Sequence, residues 1–260
     1  MYIKEDNFTK SDENKYFEIT AISDVGDRSN QQDSVGFTVN LDSGLFVVCD
    51  GMGGHKGGKQ ASEYAVNRVF SETALITDET YSLVEKIDEE ISGWKDENDE
   101  PLNAGTTIAM VSIDKDMLSW LSVGDSRVYL YRNKEMVQIT KDHVYEVALE
   151  ENRRAGLISE SFYKKEMNSS DVLISFLGVG GLPLVDTNKV PFKLYKDDVI
   201  LIMSDGLYKN MTNRTIRKTV EANDTAESIA KSLHKTIKND ESIENRDNMT
   251  LITIKMTRGE

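Results

Sequence analysis

Short apolar runs recur along the whole chain, and each is bounded by glycine, asparagine or aspartate. Runs of this kind are typical of buried β-strands. They lie at 17–23, 33–41, 45–49, 106–113, 117–123, 127–132, 135–140, 189–194, 199–204 and 249–256. Connections as short as those between 106 and 140 require antiparallel neighbours. The chain is therefore predicted to form antiparallel sheets, with a meander over 106–140.

Three stretches show the period of a helix instead. Ala61, Tyr64, Ala65 and Val69 fall on one helical face, and similar stripes occur at 81–93 and 226–237. Blocks of strands separated by helix pairs favour an α+β fold, in which helices cover the outer faces of antiparallel sheets. Residues 1–15 are polar and are expected to be a frayed tail. Residues 16–260 are expected to be one domain, with an irregular segment at about 141–188.

The charge balance argues against two classes of partner. The chain has 45 acidic and 31 basic residues, which gives a formal net charge of -14. Nucleic acids and anionic membranes are bound mainly through Lys and Arg, so neither is expected as a partner.

No apolar run approaches the ~18 residues of a membrane span, and the N-terminus lacks a secretory h-region. Cys49 is the only cysteine, which excludes an intrachain disulfide. We expect a cytoplasmic protein.

Aspartates stand where several apolar runs begin or end. Asp50-Gly51 and Asp205-Gly206 each follow a run, and Asp247-Asn248 precedes the last one. A single Asp-Gly after a strand is more often a turn. Acidic groups from several strand ends can, however, converge on a hard cation, which prefers oxygen ligands. Together with Arg28 and Asp33, these aspartates favour a metal site.

Six motifs occur in a fixed order along the chain. They are Val25–Asp33, Asp50–His55, Gly105–Thr107, Gly124–Arg127, Ser204–Gly206 and Arg246–Asn248. This succession resembles the metal-dependent serine/threonine protein phosphatases of type 2C, in their bacterial form, from about Phe17 to Lys255. The resemblance implies a monomer with a β-sandwich of two antiparallel sheets flanked by pairs of α-helices. That four-layer α-β-β-α arrangement agrees with the strand and helix pattern.

The resemblance also implies a role for each acidic residue and for the arginine. Asp50 would bridge two metal ions, the carbonyl of Gly51 would ligate one of them, and Asp205 and Asp247 would complete the centre. Asp33 would hold metal-bound waters, and Asp125 would ligate a third ion. Arg28 would hold the substrate phosphate. Such oxygen ligands suit Mn²⁺ or Mg²⁺. Two ions roughly 3.5–4 Å apart can neutralise a phosphomonoester and make hydroxide available near neutral pH. The expected reaction is direct hydrolysis of phosphoserine and phosphothreonine in proteins, opposing a serine/threonine kinase.

The proton donor to the leaving group is a separate question. His55 follows the Asp50-Gly51 turn and is a candidate, and a metal-bound water is the alternative. Eukaryotic relatives carry a histidine directly after this turn, where this chain has Met52. Gln31 and Gln32 stand where the family often has Asn and Glu. Lys141–Val144 echoes the motif that opens a mobile flap, although the rest of 141–188 departs from the common pattern.

Two other functions, a P-loop nucleotide binder and a pseudophosphatase, are alternatives to the phosphatase. Gly53–Gln60 is one residue from the P-loop signature, but Gln60 replaces the hydroxyl that should hold Mg²⁺, and the strands around it come as hairpins. The other is a pseudophosphatase, a scaffold without turnover. Such proteins usually lose metal carboxylates, whereas Asp50, Asp205 and Asp247 are all present.

Overall fold

The computed structural model of the protein describes residues 6–53, 57–167 and 172–259. The strands in these ranges are β1 (Phe8–Glu13), β2 (Phe17–Asp24), β3 (Ser34–Val39), β4 (Ser43–Cys49), β5 (Gly51–Met52), β6 (Gly105–Thr106), β7 (Ile108–Asp114), β8 (Met117–Val123), β9 (Arg127–Arg132), β10 (Glu135–Gln138), β11 (Asp186–Thr187), β12 (Phe192–Lys193), β13 (Val199–Met203) and β14 (Met249–Met256). The helices are α1 (Gly57–Glu72), α2 (Asp78–Ser92), α3 (Tyr145–Arg154), α4 (Glu160–Glu166), α5 (Asp205–Tyr208), α6 (Asn213–Glu221) and α7 (Ala226–Lys238). No helix in the described part of the chain has the length and apolarity that a membrane crossing needs.

Two large sheets contain nearly all of these strands. Sheet one has the order β1-β2-β14-β13-β9-β10, and sheet two has the order β11-β8-β7-β4-β3, with β12 also paired to β8. The strand pairs in both sheets are antiparallel. Strands β5 and β6 form a separate antiparallel pair. The predicted antiparallel architecture is therefore confirmed.

Three apolar clusters separate four layers. One lies between the sheets and includes Ile19, Phe46 and Ile252. A second lies between sheet two and the pair α1 and α2, and a third lies between sheet one and helices α5 to α7. Both faces of each sheet are thus covered, which explains why the strands are continuous apolar runs and not strict alternations. This α-β-β-α sandwich confirms the predicted fold class.

Strand register brings the motif-bearing loops to one end of the sandwich. In sheet two, Ser34 pairs with Cys49. In sheet one, Asp24 pairs with Met249, and the ends of β13 and β9 meet next to them. The loops that precede β3, follow β4, follow β13 and precede β14 therefore leave the sheets at the same edge.

The predicted meander over 106–140 is wrong in one respect. Strands β7 and β8 pair, as do β9 and β10, but β8 and β9 belong to different sheets. Gly124 has a φ of +104°, and a Cβ there would lie 2.6 Å from Cγ2 of Thr107. Glycine allows this conformation and this close approach, so the chain crosses between the sheets at Gly124-Asp125 and does not form a hairpin.

The segment expected to be a frayed tail contains a strand, and the least regular segment contains two helices. Residues 8–13, within the expected polar tail, form β1 and pair with β2 along its length. Only the first residue of β1, Phe8, is buried, and a polar sequence suits a strand at the edge of a sheet. The segment 141–188 contains α3 and α4. Its glycine cluster is anchored to α2, because the Asp88 carboxylate accepts hydrogen bonds from the backbone N–H groups of Gly178, Gly180 and Gly181.

Candidate active site

Five aspartates come together at this end of the sandwich. Asp33 precedes β3 and Asp50 follows β4, so both belong to sheet two. Asp205 follows β13 and Asp247 precedes β14, so both belong to sheet one. Asp125 lies in the crossing between the sheets. The site therefore spans the seam of the sandwich.

Asp50 is held through its backbone by two threonines of the Gly105–Thr107 motif. Its N–H donates to Thr107 Oγ1 at 2.9 Å, and its carbonyl accepts from Thr107 N at 2.8 Å and from Thr106 Oγ1 at 2.9 Å. Thr107 Oγ1 also shares a hydrogen bond of 2.7 Å with Ser126 Oγ, next to Asp125. These contacts fix the backbone that carries Asp50 and link it to the crossing.

Gly51 lies where the backbone is most crowded. A Cβ at this position would come within 2.2 Å of the carbonyl oxygen of Gly58 in α1, so a side chain cannot be accommodated. Thr107 N donates to Asp50 O, so Asp50 and Thr107 form a hydrogen-bonded residue pair at the end of the β5–β6 ladder. The next pair, Gly51 and Thr106, is consequently of the non-hydrogen-bonded kind. The Gly51 carbonyl is thus not used by this pairing, as a ligand role requires.

Asp33 is buried, and its surroundings are acidic. Ser204 Oγ donates to its Oδ2 at 2.7 Å. Burial, reinforced by the carboxylates of Asp205 and Asp247, raises the pKa of Asp33 to about 7. The Ser204 hydrogen bond opposes this rise without cancelling it.

The pKa of Asp50 is raised by the same causes. Burial raises the pKa of its carboxyl well above the usual range, and the carboxylates of Asp33, Asp205, Asp125 and Asp247 raise it further. All five groups are therefore close enough to interact electrostatically. A bound cation would relieve the cost of holding this negative charge out of water.

Two of the carboxylates form ion pairs of 2.7 Å with side-chain cations. Arg28 Nη2 lies 2.7 Å from Asp247 Oδ2, and both side chains are partly exposed. Lys209 Nζ lies 2.7 Å from Asp205 Oδ2. Asn248 secures the Arg28 loop, because its Nδ2 donates to the carbonyls of Val25 and Asn30.

Asp125 is enclosed differently from the other four. It is buried, Tyr208 donates its hydroxyl to Asp125 Oδ2 at 2.9 Å, and Lys209 Nζ lies 3.6 Å from the same oxygen. Arg127 stacks on the Tyr208 ring at 3.7 Å and binds the Asp142 carboxylate with two nitrogens. Asp125 thus faces a phenol and an ammonium group.

The donor set fits two hard cations better than three. Asp50, Asp205, Asp247 and the Gly51 carbonyl supply the oxygen ligands that Mn²⁺ and Mg²⁺ prefer, around buried negative charge. Within residues 6–53, 57–167 and 172–259, no three Asp, Glu, His or Cys side chains are arranged so that they could hold a metal ion by themselves. At the position predicted for a third ion, between Asp125 and Asp205, lies the ammonium group of Lys209.

The remaining predicted residues have mixed outcomes. His55 lies outside the described residues, so its role as proton donor stays a prediction. Gln31 is buried and bonded to Ser23 Oγ and to the backbone N–H of Asp33, so it supports the Asp33 turn. His143 is also buried. Its Nδ1 accepts from the backbone N–H of Gly124 at 3.1 Å, and its backbone N–H donates to the Gly124 carbonyl.

Several residues that shape the site were not predicted from the sequence. They are Thr106, Thr107, Ser126, Ser204, Tyr208, Lys209 and Asn248. All but Tyr208 and Lys209 lie in the recognised motifs, without a role assigned to them. Lys209 had a readable signal, because a helix beginning at Asp205 places residue i+4 on the same face.

Known proteins with similar sequences point to the same kind of site. The family described as Protein phosphatase 2C matches residues 23–245. The chain belongs to the protein phosphatase 2C family. It is 34% identical, over 72% of its own length and 76% of the relative's, to the serine/threonine phosphatase stp of Listeria welshimeri. It is 27% identical to the protein phosphatase PhpP of Streptococcus pneumoniae, over 78% of this chain and 84% of the relative.

Solved structures of serine/threonine phosphatases share the fold. A serine/threonine phosphatase of S. agalactiae is 26% identical, with a TM-score of 0.74 over 92% of this chain and 99% of that chain. The catalytic domain of PstP in complex with two manganese ions is 23% identical, with a TM-score of 0.71 over 93% of this chain and 99% of that chain.

The P-loop alternative does not fit the fold. Strand β4 pairs on both sides with antiparallel strands, β3 and β7, and β13 does so with β14 and β9. P-loop proteins instead place the motif between a parallel strand and a crossover helix. The described strands around this motif therefore do not form the parallel setting of a P-loop.

Proposed function

We propose that this chain is a metal-dependent phosphatase that hydrolyses phosphoserine and phosphothreonine in proteins. The observation that carries the proposal is the convergence of five aspartates from both sheets, with Arg28 beside them, in a member of the 2C family. Its relatives are named as serine/threonine phosphatases. Asp50, Asp205 and Asp247, whose loss would indicate a pseudophosphatase, are all present and brought together.

The aspartates of the site would hold two Mn²⁺ or Mg²⁺ ions. When bound, two such ions neutralise a phosphate dianion and lower the pKa of a coordinated water. Asp50, Asp205, Asp247 and the Gly51 carbonyl would be the ligands. Asp33 is buried beside them, and its raised pKa suits a group that holds water protons near neutral pH.

Arg28 would hold the substrate phosphate. Its side chain is about half exposed, at 54%, and its Nη2 is bonded to Asp247, so the other donors of the fork remain available to a ligand. A planar guanidinium can bind two phosphate oxygens at once, which a lysine cannot match. The phosphate would then lie at the open edge of the aspartate cluster.

The wider setting is proposed from the family and from composition. We propose that residues 16–260 act as one catalytic domain, as a monomer in the cytoplasm, against a serine/threonine kinase. The acidic surface, with a net charge of -14, supports a partner other than nucleic acid.

The first test is hydrolysis of a phosphothreonine peptide by the purified chain with Mn²⁺, with and without EDTA. We expect turnover that requires Mn²⁺ and stops with the chelator. Asp205→Ala should remove turnover while the circular dichroism spectrum stays that of the wild type. The proposal fails if no metal concentration supports turnover, or if Asp205→Ala remains active.

A further inference from the structure

Lys209 lies in the aspartate cluster through the geometry of one helical turn. Its backbone N–H donates to the carbonyl of Asp205 at 3.0 Å, so the turn that begins at Asp205 continues to Lys209. Side chains four residues apart on a helix lie on the same face. The ammonium group is accordingly 2.7 Å from Asp205 Oδ2 and 3.6 Å from Asp125 Oδ2.

Asp125 is held in position independently of Lys209. The Tyr208 hydroxyl donates to Asp125 Oδ2, and the Tyr208 ring is fixed by the stacked guanidinium of Arg127. Arg127 is itself held by Asp142. The carboxylate is buried and has little freedom to turn toward another partner. Its charge is therefore presented to whichever cation lies between it and Asp205.

An ammonium group is a compact point charge with three donors. Placed between two carboxylates, it supplies the charge compensation that a metal ion would otherwise supply there. A divalent ion bound to the same oxygens would be repelled by the ammonium or would have to displace it. The ammonium group of Lys209 thus occupies the position predicted for a third metal ion.

We propose that Lys209 acts as a built-in cation between Asp125 and Asp205, so that this phosphatase binds two metal ions and excludes a third. The inference rests on the proposed two-metal centre. Lys209 acts in this role through the positive charge that it places between two carboxylates, and not through contact with the substrate.

The test is the number of Mn²⁺ ions bound by the full chain, measured from the electron paramagnetic resonance signal of free Mn²⁺ during titration. The wild type should bind two ions. Lys209→Met, which keeps the length and removes the charge, should bind three. Lys209→Met combined with Asp125→Asn should return to two. Lys231→Met is the matched control, because Lys231 forms an ordinary i,i+4 pair with Glu227, and it should bind two.

Asp125→Asn alone gives a second, independent measurement if Lys209→Met does not fold. It should leave the wild-type count of two unchanged. A wild-type count of three that drops to two in Asp125→Asn would overturn the proposal, since a metal ion would then displace Lys209 while the phosphatase assignment stands. A count of two in folded Lys209→Met would also overturn it. A wild type that binds no Mn²⁺ would remove the metal centre as well.

Discussion

The carboxylate of Asp27 accepts hydrogen bonds from both the backbone N–H and the guanidinium of Arg246, at 2.8 and 3.2 Å. The next residue after each, Arg28 and Asp247, forms a second ion pair at 2.7 Å. Two ion pairs, in which each loop supplies one acidic and one basic residue, thus join loops that lie more than two hundred residues apart in the chain. One loop carries the proposed phosphate ligand, and the other carries a proposed metal ligand.

Replacing Arg246 tests whether this join matters for the site. Its guanidinium also donates to the carbonyls of Ile237 and Asp240. Arg246→Met should lower the free energy of unfolding by about 1–3 kcal/mol and weaken Mn²⁺ binding, because the loop of Asp247 is loosened. Urea unfolding and Mn²⁺ titration would measure the two effects. Arg217→Met, at an exposed position where Arg217 pairs with Glu221 and donates to the Lys134 carbonyl, should change neither by much. Unchanged Mn²⁺ affinity in Arg246→Met would confine the residue to a structural role.

Arg28→Ala should chiefly raise KM for a phosphopeptide. The substitution removes a proposed phosphate contact and an ion pair with Asp247, but it removes no metal ligand, so the loss should be chiefly one of substrate binding. Steady-state kinetics at saturating Mn²⁺ would separate KM from kcat. An unchanged KM would count against the phosphate-binding role.

Thr107→Val should damage the site without changing its shape. The variant loses the hydroxyl that accepts from Asp50 N and that bonds Ser126, and a buried N–H without a partner costs about 1–3 kcal/mol. We expect lower stability and lower kcat. Thr253 offers a control of equal volume, because among the described residues its buried hydroxyl has no hydrogen-bond partner. Thr253→Val should be neutral or stabilising, and equal losses in the two variants would refute the argument.

Asp50→Asn should separate stability from activity. Without metal, the partly buried Asp50 carboxylate lies among four others that raise its pKa, so replacing it with a neutral amide should raise the free energy of unfolding. With Mn²⁺ the order should reverse, because ion binding stabilises only the wild type. Thermal unfolding in EDTA and in Mn²⁺ would show both effects, and turnover should be absent in the variant. Asp99→Asn, on an exposed turn, is the control and should change neither stability nor turnover.

His143 should make the protein acid-sensitive. Burial lowers the pKa of His143, against the opposing carboxylates of Asp186 and Asp142, with Lys141 lowering it slightly more. An unfolded chain takes up a proton below about pH 6.5 that the folded histidine resists, so stability is complete above that pH and falls as the pH drops. His143→Asn should flatten this part of the urea-midpoint profile between pH 5 and 7. The same change at His234 should leave the His143 contribution in place.

The sequence patterns predicted most of the sandwich because its strands are buried on both faces and stand out as apolar runs. They failed at Gly124-Asp125, where a short connection links different sheets, and at β1, whose polar residues carry no strand signal. The acidic ligands were predictable because each sits at a strand end. Their supports, such as Thr107 and Ser204, were not, because a hydroxyl's partner depends on residues far away in the chain.

The seam between the sheets has a mechanical consequence. Two of the aspartates belong to each sheet, so a small slide of one sheet over the other would change the distances across the whole cluster. Side chains that set the spacing of the sheets, such as Phe46 and its edge-on neighbour Phe17, therefore act as spacers for the carboxylates. Cation affinity in this protein should then be tunable from the middle of its core, far from any group that touches the ion.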